Sequence, residues 1–259
     1  MIIKAYLQTP SIMNSGEFIS TMDDYDRYPK LPGWKYECFG GVIRATPSMH
    51  SIATTLEVTP RTSASPCDLV SPDEIPREDL VCTFIASFKD SVEFFNWTLV
   101  QVEEHANKWV NALLDGKRGR MLAISRVAVI GNSVVGAALF RDEDDIPFLD
   151  LLYVLPDWQR KGIASAMVAQ AVNTLYEARI PVLTSRYDLA NTSSRDWHHR
   201  FGFKDSPGWL ASRHLRAYFR QELHRRTLMG DLDDAERRRL QQEIEHWSNV
   251  IISLWGDDV

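Results

Sequence analysis

Residues 149–164, Leu-Asp-Leu-Leu-Tyr-Val-Leu-Pro-Asp-Trp-Gln-Arg-Lys-Gly-Ile-Ala, constrain the fold of this chain more than any other stretch. An apolar run ends at Pro156, a short polar turn follows, and a 3–4-residue apolar repeat then begins at Ile163. That order reads as a buried strand, a turn and a helix. The first amides of such a helix have no partner within it, and the helix dipole adds roughly half a positive charge there. The segment is therefore built to receive a phosphate. Gly162 and Ala164 are small enough for a ligand to approach the backbone, and Arg160 and Lys161 add charge. The Gly-x-Gly-x-x-Gly fingerprint and the Gly-Lys-Ser/Thr phosphate loop are both absent.

The surrounding pattern alternates between the two periodicities. Ser71 to Pro76 looks like a helix start with acids in its first turn, and Leu80, Phe84 and Phe88 follow at helical spacing. A second helix is expected from about Thr98 to Leu114, joined to the first by an aromatic segment holding Phe94, Phe95 and Trp97. Met121–Ile130 and Val134–Arg141 read as strands joined by Gly131-Asn132-Ser133. The acidic loop 142–145 leads to a strand over Pro147–Val154, a helix from about Lys161 to Ala178 and a strand over Pro181–Tyr187. Ile163, Ala164, Met167, Val168, Ala171, Val172 and Leu175 give that helix one apolar face for packing on a sheet.

Residues 1–70 are turn-rich, with strand-like content at Lys35–Thr46 and Ser51–Thr59 and a hairpin turn expected at Gly40-Gly41. Leu210–Met229 and Asp231–Trp255 read as two helices, with Gly230 and Asp231 as break and N-cap. Leu240, Ile244, Trp247, Ile251 and Leu254 form a stripe that must pack on this chain or on a second copy, as a homodimer through the C-terminal helix. Three parts are expected: a β-rich extension over 1–70, a core over 71–206 and a helical extension over 207–259.

A formal charge of −6 argues against a nucleic-acid partner, which calls for a basic field. Residues 1–20 lack the pattern of a signal peptide, and no run of apolar residues reaches membrane-spanning length. Cys38, Cys67 and Cys82 are odd in number and lack metal-ligand spacing, so neither a zinc site nor a disulfide framework is expected. These features suit a cytoplasmic protein with reduced thiols.

A second motif, Asn191-Thr-Ser-Ser194-Arg-Asp-Trp197-His198-His-Arg-Phe-Gly202-Phe203, opens a helix after the last strand. Gln159, Gly162 and Ala164, preceded by Val154-x-Pro156, together with Asn191, Ser194, Trp197, Gly202 and Phe203, resemble the two landmarks of the GCN5-related N-acetyltransferase (GNAT) superfamily. The resemblance covers roughly residues 71–205. It implies an α/β (α+β) fold whose central mixed, mostly antiparallel sheet is flanked by helices. No clear strand follows Gly202-Phe203 where family members have one, and the N-terminal strands are available to take its place.

By this resemblance the chain is an acetyl-CoA-dependent N-acetyltransferase that acts on a primary amine of a small molecule or peptide, with acetyl-CoA as co-substrate. The amides of Leu152, Tyr153 and Val154 would pair with the pantetheine arm. Gln159 and the amides of Arg160, Lys161, Gly162, Ile163, Ala164 and Ser165 would hold the pyrophosphate, with Asn191 and Ser194 on the pantetheine side. Asp150, a carboxylate in an otherwise apolar strand, must be paired or perturbed there and is the expected base. His198 stands where many members carry a tyrosine that protonates the leaving thiolate, and is the expected acid. The alternative is a non-catalytic acyl-CoA-binding or sensing module that shares Gln159–Ala164 and needs neither Asp150 nor His198.

Overall fold

A computed structural model describes residues 22–39, 42–62 and 64–256. The Gly40-Gly41 turn and the reading of residues 1–20 lie outside the described residues. In chain order the elements are α1 (Met22–Arg27), β1 (Trp34–Phe39), β2 (Val42–Pro47), β3 (Ser51–Glu57), β4 (Asp68–Val70), α2 (Arg77–Phe88), α3 (Leu99–Leu114), β5 (Arg126–Ile130), β6 (Ser133–Glu143), β7 (Ile146–Val154), α4 (Ile163–Glu177), β8 (Val182–Asp188), α5 (Thr192–Phe201), β9 (Lys204–Asp205), α6 (Trp209–Met229) and α7 (Asp234–Trp255). Two compact units divide the chain, one made of Ala53–Tyr187 and Asp196–Asp205, the other of Met1–Ile52, Asp188–Arg195 and Ser206–Val259.

The sheet has seven strands in the order β4-β5-β6-β7-β8-β3-β9. Its pairings are antiparallel at β4–β5, β5–β6, β6–β7 and β3–β9, and parallel at β7–β8. Residues 53–70 thus enter the sheet at two places. β3 alternates exposed and buried residues, as a strand with one polar face does. It lies between β8 and a short β9, and β9 is the strand after Phe203 that the sequence left without a clear signal. The hydrogen bond from Val58 N to Pro181 O and that from Thr54 Oγ1 to Ser185 O tie β3 to β8.

Each face of the sheet carries its own core. On one, Ile163, Met167, Val168, Ala171, Val172 and Leu175 of α4 are buried with Leu149, Val154, Leu183 and Phe203. On the other, Leu80, Phe84, Val102, Ala106 and Val110 of α2 and α3 are buried with Val127, Leu139, Leu151 and Tyr153. Each fully buried large apolar side chain contributes about 1.5–3 kcal/mol. Local signals set the helix ends. Thr98 accepts from Gln101 N at 3.3 Å while the Gln101 side chain accepts from Thr98 N at 2.8 Å, a reciprocal cap on α3.

Three expectations shift. Of Met121–Ser125 only Met121 pairs with β6, as an isolated bridge to Arg141, and Ser125 Oγ accepts from Phe140 N at 2.9 Å in place of a backbone partner. The N-cap of α7 is Asp233, which accepts from Glu236 N, rather than Asp231. Asp142 and Glu143 extend β6, so the acidic loop shrinks to Asp144 and Asp145, both at positive φ.

In the other unit β1 and β2 form an antiparallel hairpin, Phe39 opposite Val42. α6 and α7 pack as an antiparallel-type pair joined by Gly230, whose φ of 68° caps α6. Leu240, Trp247 and Ile251 of the predicted stripe are buried in this chain, whereas Leu254 is exposed. Arg195 lies over the rings of Tyr218 and Phe219 of α6. His50 stacks on His214 with ring centroids 4.3 Å apart. Among the described residues no helix is long and apolar enough to cross a membrane.

Candidate active site

The site begins where two strands part. β7 pairs with β8 only at Phe148↔Thr184 and Leu149↔Ser185, while on its other side it stays paired with β6 as far as Val154. From Asp150 to Val154, Leu152 and Tyr153 included, the edge of β7 that faces β8 carries no strand pairing. Asp150 is also the extra residue of a β-bulge: Leu139 pairs with Leu151 and Phe140 with Leu149, which leaves Asp150 opposite no partner. A bulge re-aims a side chain and bends its strand. It does both here at the head of the fork.

The turn after β7 is held from within. Gln159 Nε2 donates to Val154 O at 3.0 Å, which folds the 3₁₀ turn Pro156–Trp158 back on the strand end. Arg160 and Gly162 both lie in the left-handed region, at φ 64° and 83°. Among the described residues the amides of Arg160, Lys161, Gly162, Ile163, Ala164 and Ser165 donate to no protein acceptor; Ala166 N, to Gly162 O, is the first that does. A Cβ built on Gly162 would meet nothing within 4 Å. Arg160 and Lys161 are exposed beside these amides, and Lys161 Nζ lies 4.4 Å from the centre of the Trp158 ring. Six unpaired amides, a helix dipole and two cations fit a phosphate or pyrophosphate. The open edge of β7 leads to them and fits an extended, amide-bearing arm.

The side chain of Asp150 is buried, 2% exposed. Its Oδ1 accepts from Arg141 Nε at 2.7 Å and from Arg118 Nη2 at 3.3 Å. Its Oδ2 is buried and has no hydrogen-bond partner. Arg141 continues to Glu143 at 2.7 Å, and Arg186 meets the other oxygen of Glu143 at 3.1 Å. Burial weakens the hold of Arg141 on its proton, but its bonds to Asp150 and Glu143 outweigh this and raise its pKa. Arg118 stacks 3.4 Å over Trp109, which stacks on His105, and His105 meets Trp97 and Phe94 edge-on. Burial, with Arg118 and Lys108 nearby, lowers the pKa of His105. Of these partners sequence reasoning singled out Phe94, Trp97 and, within the acidic loop, Glu143. Arg141 carried a signal, being a cation at the end of a strand otherwise buried through Phe140.

His198 is 3% exposed and surrounded by the rings of Tyr187, Trp197 and Phe203. Its Nε2 lies 3.0 Å from Ser185 Oγ, which in turn donates to Leu149 O at 3.2 Å. The histidine thus sits behind the last β7–β8 pair. Trp197 Nε1 donates to Ser165 Oγ at 3.2 Å and joins α5 to the first turn of α4. Asn191 and Ser194 belong to the other unit, where Asn191 Oδ1 accepts from Ser194 N at 2.8 Å and caps α5.

Residues 84–203 match the acetyltransferase (GNAT) family model. No curated protein matches the chain in sequence. Among solved structures, a GCN5-related N-acetyltransferase from Sphaerobacter thermophilus is 14% identical with a TM-score of 0.45, over 60% of this chain and 48% of that one. The chain therefore spans about half of that protein. The PaiA N-acetyltransferase of Thermoplasma acidophilum, solved in complex with coenzyme A, is 16% identical with a TM-score of 0.44, over 54% of this chain and 92% of that one. An aminoglycoside 6'-N-acetyltransferase from Acinetobacter haemolyticus is 20% identical with a TM-score of 0.41, over 54% and 93%. The similarity to the acetyltransferase (GNAT) family is thus carried by residues 84–203 of the chain.

Proposed function

We propose that this chain transfers an acetyl group from acetyl-CoA to a primary amine of a small molecule or peptide by direct attack. The observation that carries the reading is the run of six unpaired amides, Arg160 to Ser165, at the end of an open strand edge. Acetyl-CoA supplies the acetyl group as a thioester. Arg160 to Ser165 hold its pyrophosphate, and the β8-facing edge of Leu152 to Val154 takes the pantetheine. A backbone N–H at the bulge would donate to the thioester oxygen as charge gathers on it.

Asp150 receives the amine. Its free Oδ2 accepts an N–H of the ammonium and passes that proton to water, which exposes the nitrogen lone pair. The C–N bond forms as the C–S bond breaks, and the sulfur leaves with the electron pair. The nitrogen's second proton balances the thiolate. Of the two protons lost, one goes to solvent and one ends on the thiol. His198 serves as a positioning residue rather than the acid expected from its motif, since its Nε2 is engaged with Ser185 and its ring is enclosed by three aromatics. Through Ser185 it holds its own turn of α5 behind the fork.

Thiol release from acetyl-CoA, measured across a panel of amines, tests the reading. Amine-dependent release with N-acetylated product is expected. Tight CoA binding without turnover of any acceptor would instead make the chain a non-catalytic acyl-CoA-binding module.

A further inference from the structure

Asp150 on β7 and Arg186 on β8 stand one residue past the last strand pair, Leu149↔Ser185, and so head the two diverging arms of the fork. They are connected through a chain of ion pairs, Asp150–Arg141–Glu143–Arg186. Arg118 adds a second cation on Asp150. The connected ion pairs set three guanidinium groups against two carboxylates, so Arg141 and Arg186 share Glu143 while Arg141 and Arg118 share Asp150. The phenyl ring of Phe148 underlies them, 4.6 Å from Arg141 and 5.1 Å from Arg186. Arg186 is half-exposed, and its bond to Glu143 uses one of its five donors. On the other arm of the fork Asp150 Oδ2 is a buried acceptor without a partner, and Arg118 Nε beside it a buried donor without one. The site thus offers one unfilled acceptor and, on the adjacent strand, a half-exposed planar cation that shares its carboxylate partner with Arg141.

We propose that the acceptor amine also carries a carboxylate, as a free amino acid does, with its ammonium on Asp150 Oδ2 and its carboxylate on Arg186. This rests on the acetyl-transfer reading and narrows its acceptor. A simple alkylamine fills Oδ2 but leaves the remaining donors of the half-exposed Arg186 unused, whereas a zwitterion engages both. Guanidinium suits a carboxylate because it can offer two parallel N–H donors, which an ammonium cannot. The rings of Trp97, His105 and Trp109, which continue from Arg118, would face the remainder of an apolar acceptor.

The test uses the full chain, acetyl-CoA and matched acceptors: tryptophan, tryptophanamide and tryptamine, and leucine, leucinamide and isoamylamine. The amides present the more easily deprotonated amines, so intrinsic reactivity works against the expected result. At least tenfold higher kcat/KM for the amino acids is expected. Arg186→Gln should collapse that ratio toward one, and Arg186→Lys should restore part of it. Equal or better use of the amines or amides overturns the proposal and leaves acetyl transfer standing. If no acceptor is turned over, acetyl transfer itself fails. Calorimetry with CoA present then still reads the carboxylate: N-acetyltryptophan must bind more tightly than its amide, and Arg186→Gln must remove the difference. Equal binding, or none, overturns the proposal.

Discussion

His198 Nε2 and Ser185 Oγ lie 3.0 Å apart, directly behind the point at which β7 and β8 separate. Because the serine hydroxyl donates to Leu149 O, its lone pair is left for the histidine, and Nε2 carries the proton. The pair therefore braces both strands of the fork from α5. His198→Gln, which keeps a donor of similar reach but does not titrate, should retain the wild-type shape of the kcat/KM–pH profile. His198→Ala should lower unfolding free energy by about 2–4 kcal/mol in urea titrations, from cavity and lost hydrogen bond together. A limb of the pH profile that disappears in His198→Gln would return the histidine to the role of acid.

Gly162 sits at φ 83° with open space where a side chain would go. Gly162→Val should therefore cost folding only the strain of the left-handed region, about 1–2 kcal/mol. Its isopropyl group would lie over the unpaired amides, so CoA affinity should fall at least tenfold by calorimetry. Unchanged affinity would detach the loop from donor binding.

Asp150→Asn keeps the size of the side chain but removes the charge that answers Arg141 and Arg118. A drop of about a hundredfold in kcat/KM is expected, in the range of general acid–base contributions, with the CoA dissociation constant within twofold of wild type. A stopped assay for N-acetylated product measures the first and calorimetry the second. Retained turnover would remove Asp150 from the reaction.

His50 and His214 stack in the hairpin-and-helix unit, and burial lowers the pKa of both, with the charge of His50 adding to the effect on His214. Folded-state values below the unfolded one mean that the unfolded chain binds protons first as pH falls. The contribution of the pair is complete above about pH 6.5, the unfolded value, and declines as pH drops through the folded values. Urea midpoints at pH 7.5 and 5.5 should show this loss, and His50→Gln/His214→Gln should flatten it. Equal pH slopes in the two proteins would refute the linkage.

Where local chemistry decided an element, the sequence was readable. The span from about Thr98 to Leu114 was legible as α3, the apolar stripe from Ile163 to Leu175 announced α4 and its buried face, and Pro156 to Gly162 marked the turn between β7 and α4. The fork itself was invisible, since nothing local says that β8 leaves β7 after Ser185. Asp150 signalled a need for partners by being charged in an apolar strand. Arg118 and Arg186, supplied from a loop and a neighbouring strand, gave no matching sign. The place of β3 was equally hidden, because its alternation specifies a half-buried strand and not which neighbours it will have.

That strand has a consequence in time. Residues 51–57 are among the first parts of the sheet to be synthesised, yet both of their partners, β8 and β9, come more than a hundred residues later. At ribosomal pace this interval is on the order of ten seconds. Pairing over such a span is slow to form and leaves an unmatched edge while the chain waits. The sheet that carries the fork is thus closed only after nearly all of its strands exist, and β3 spends that interval without either of its neighbours.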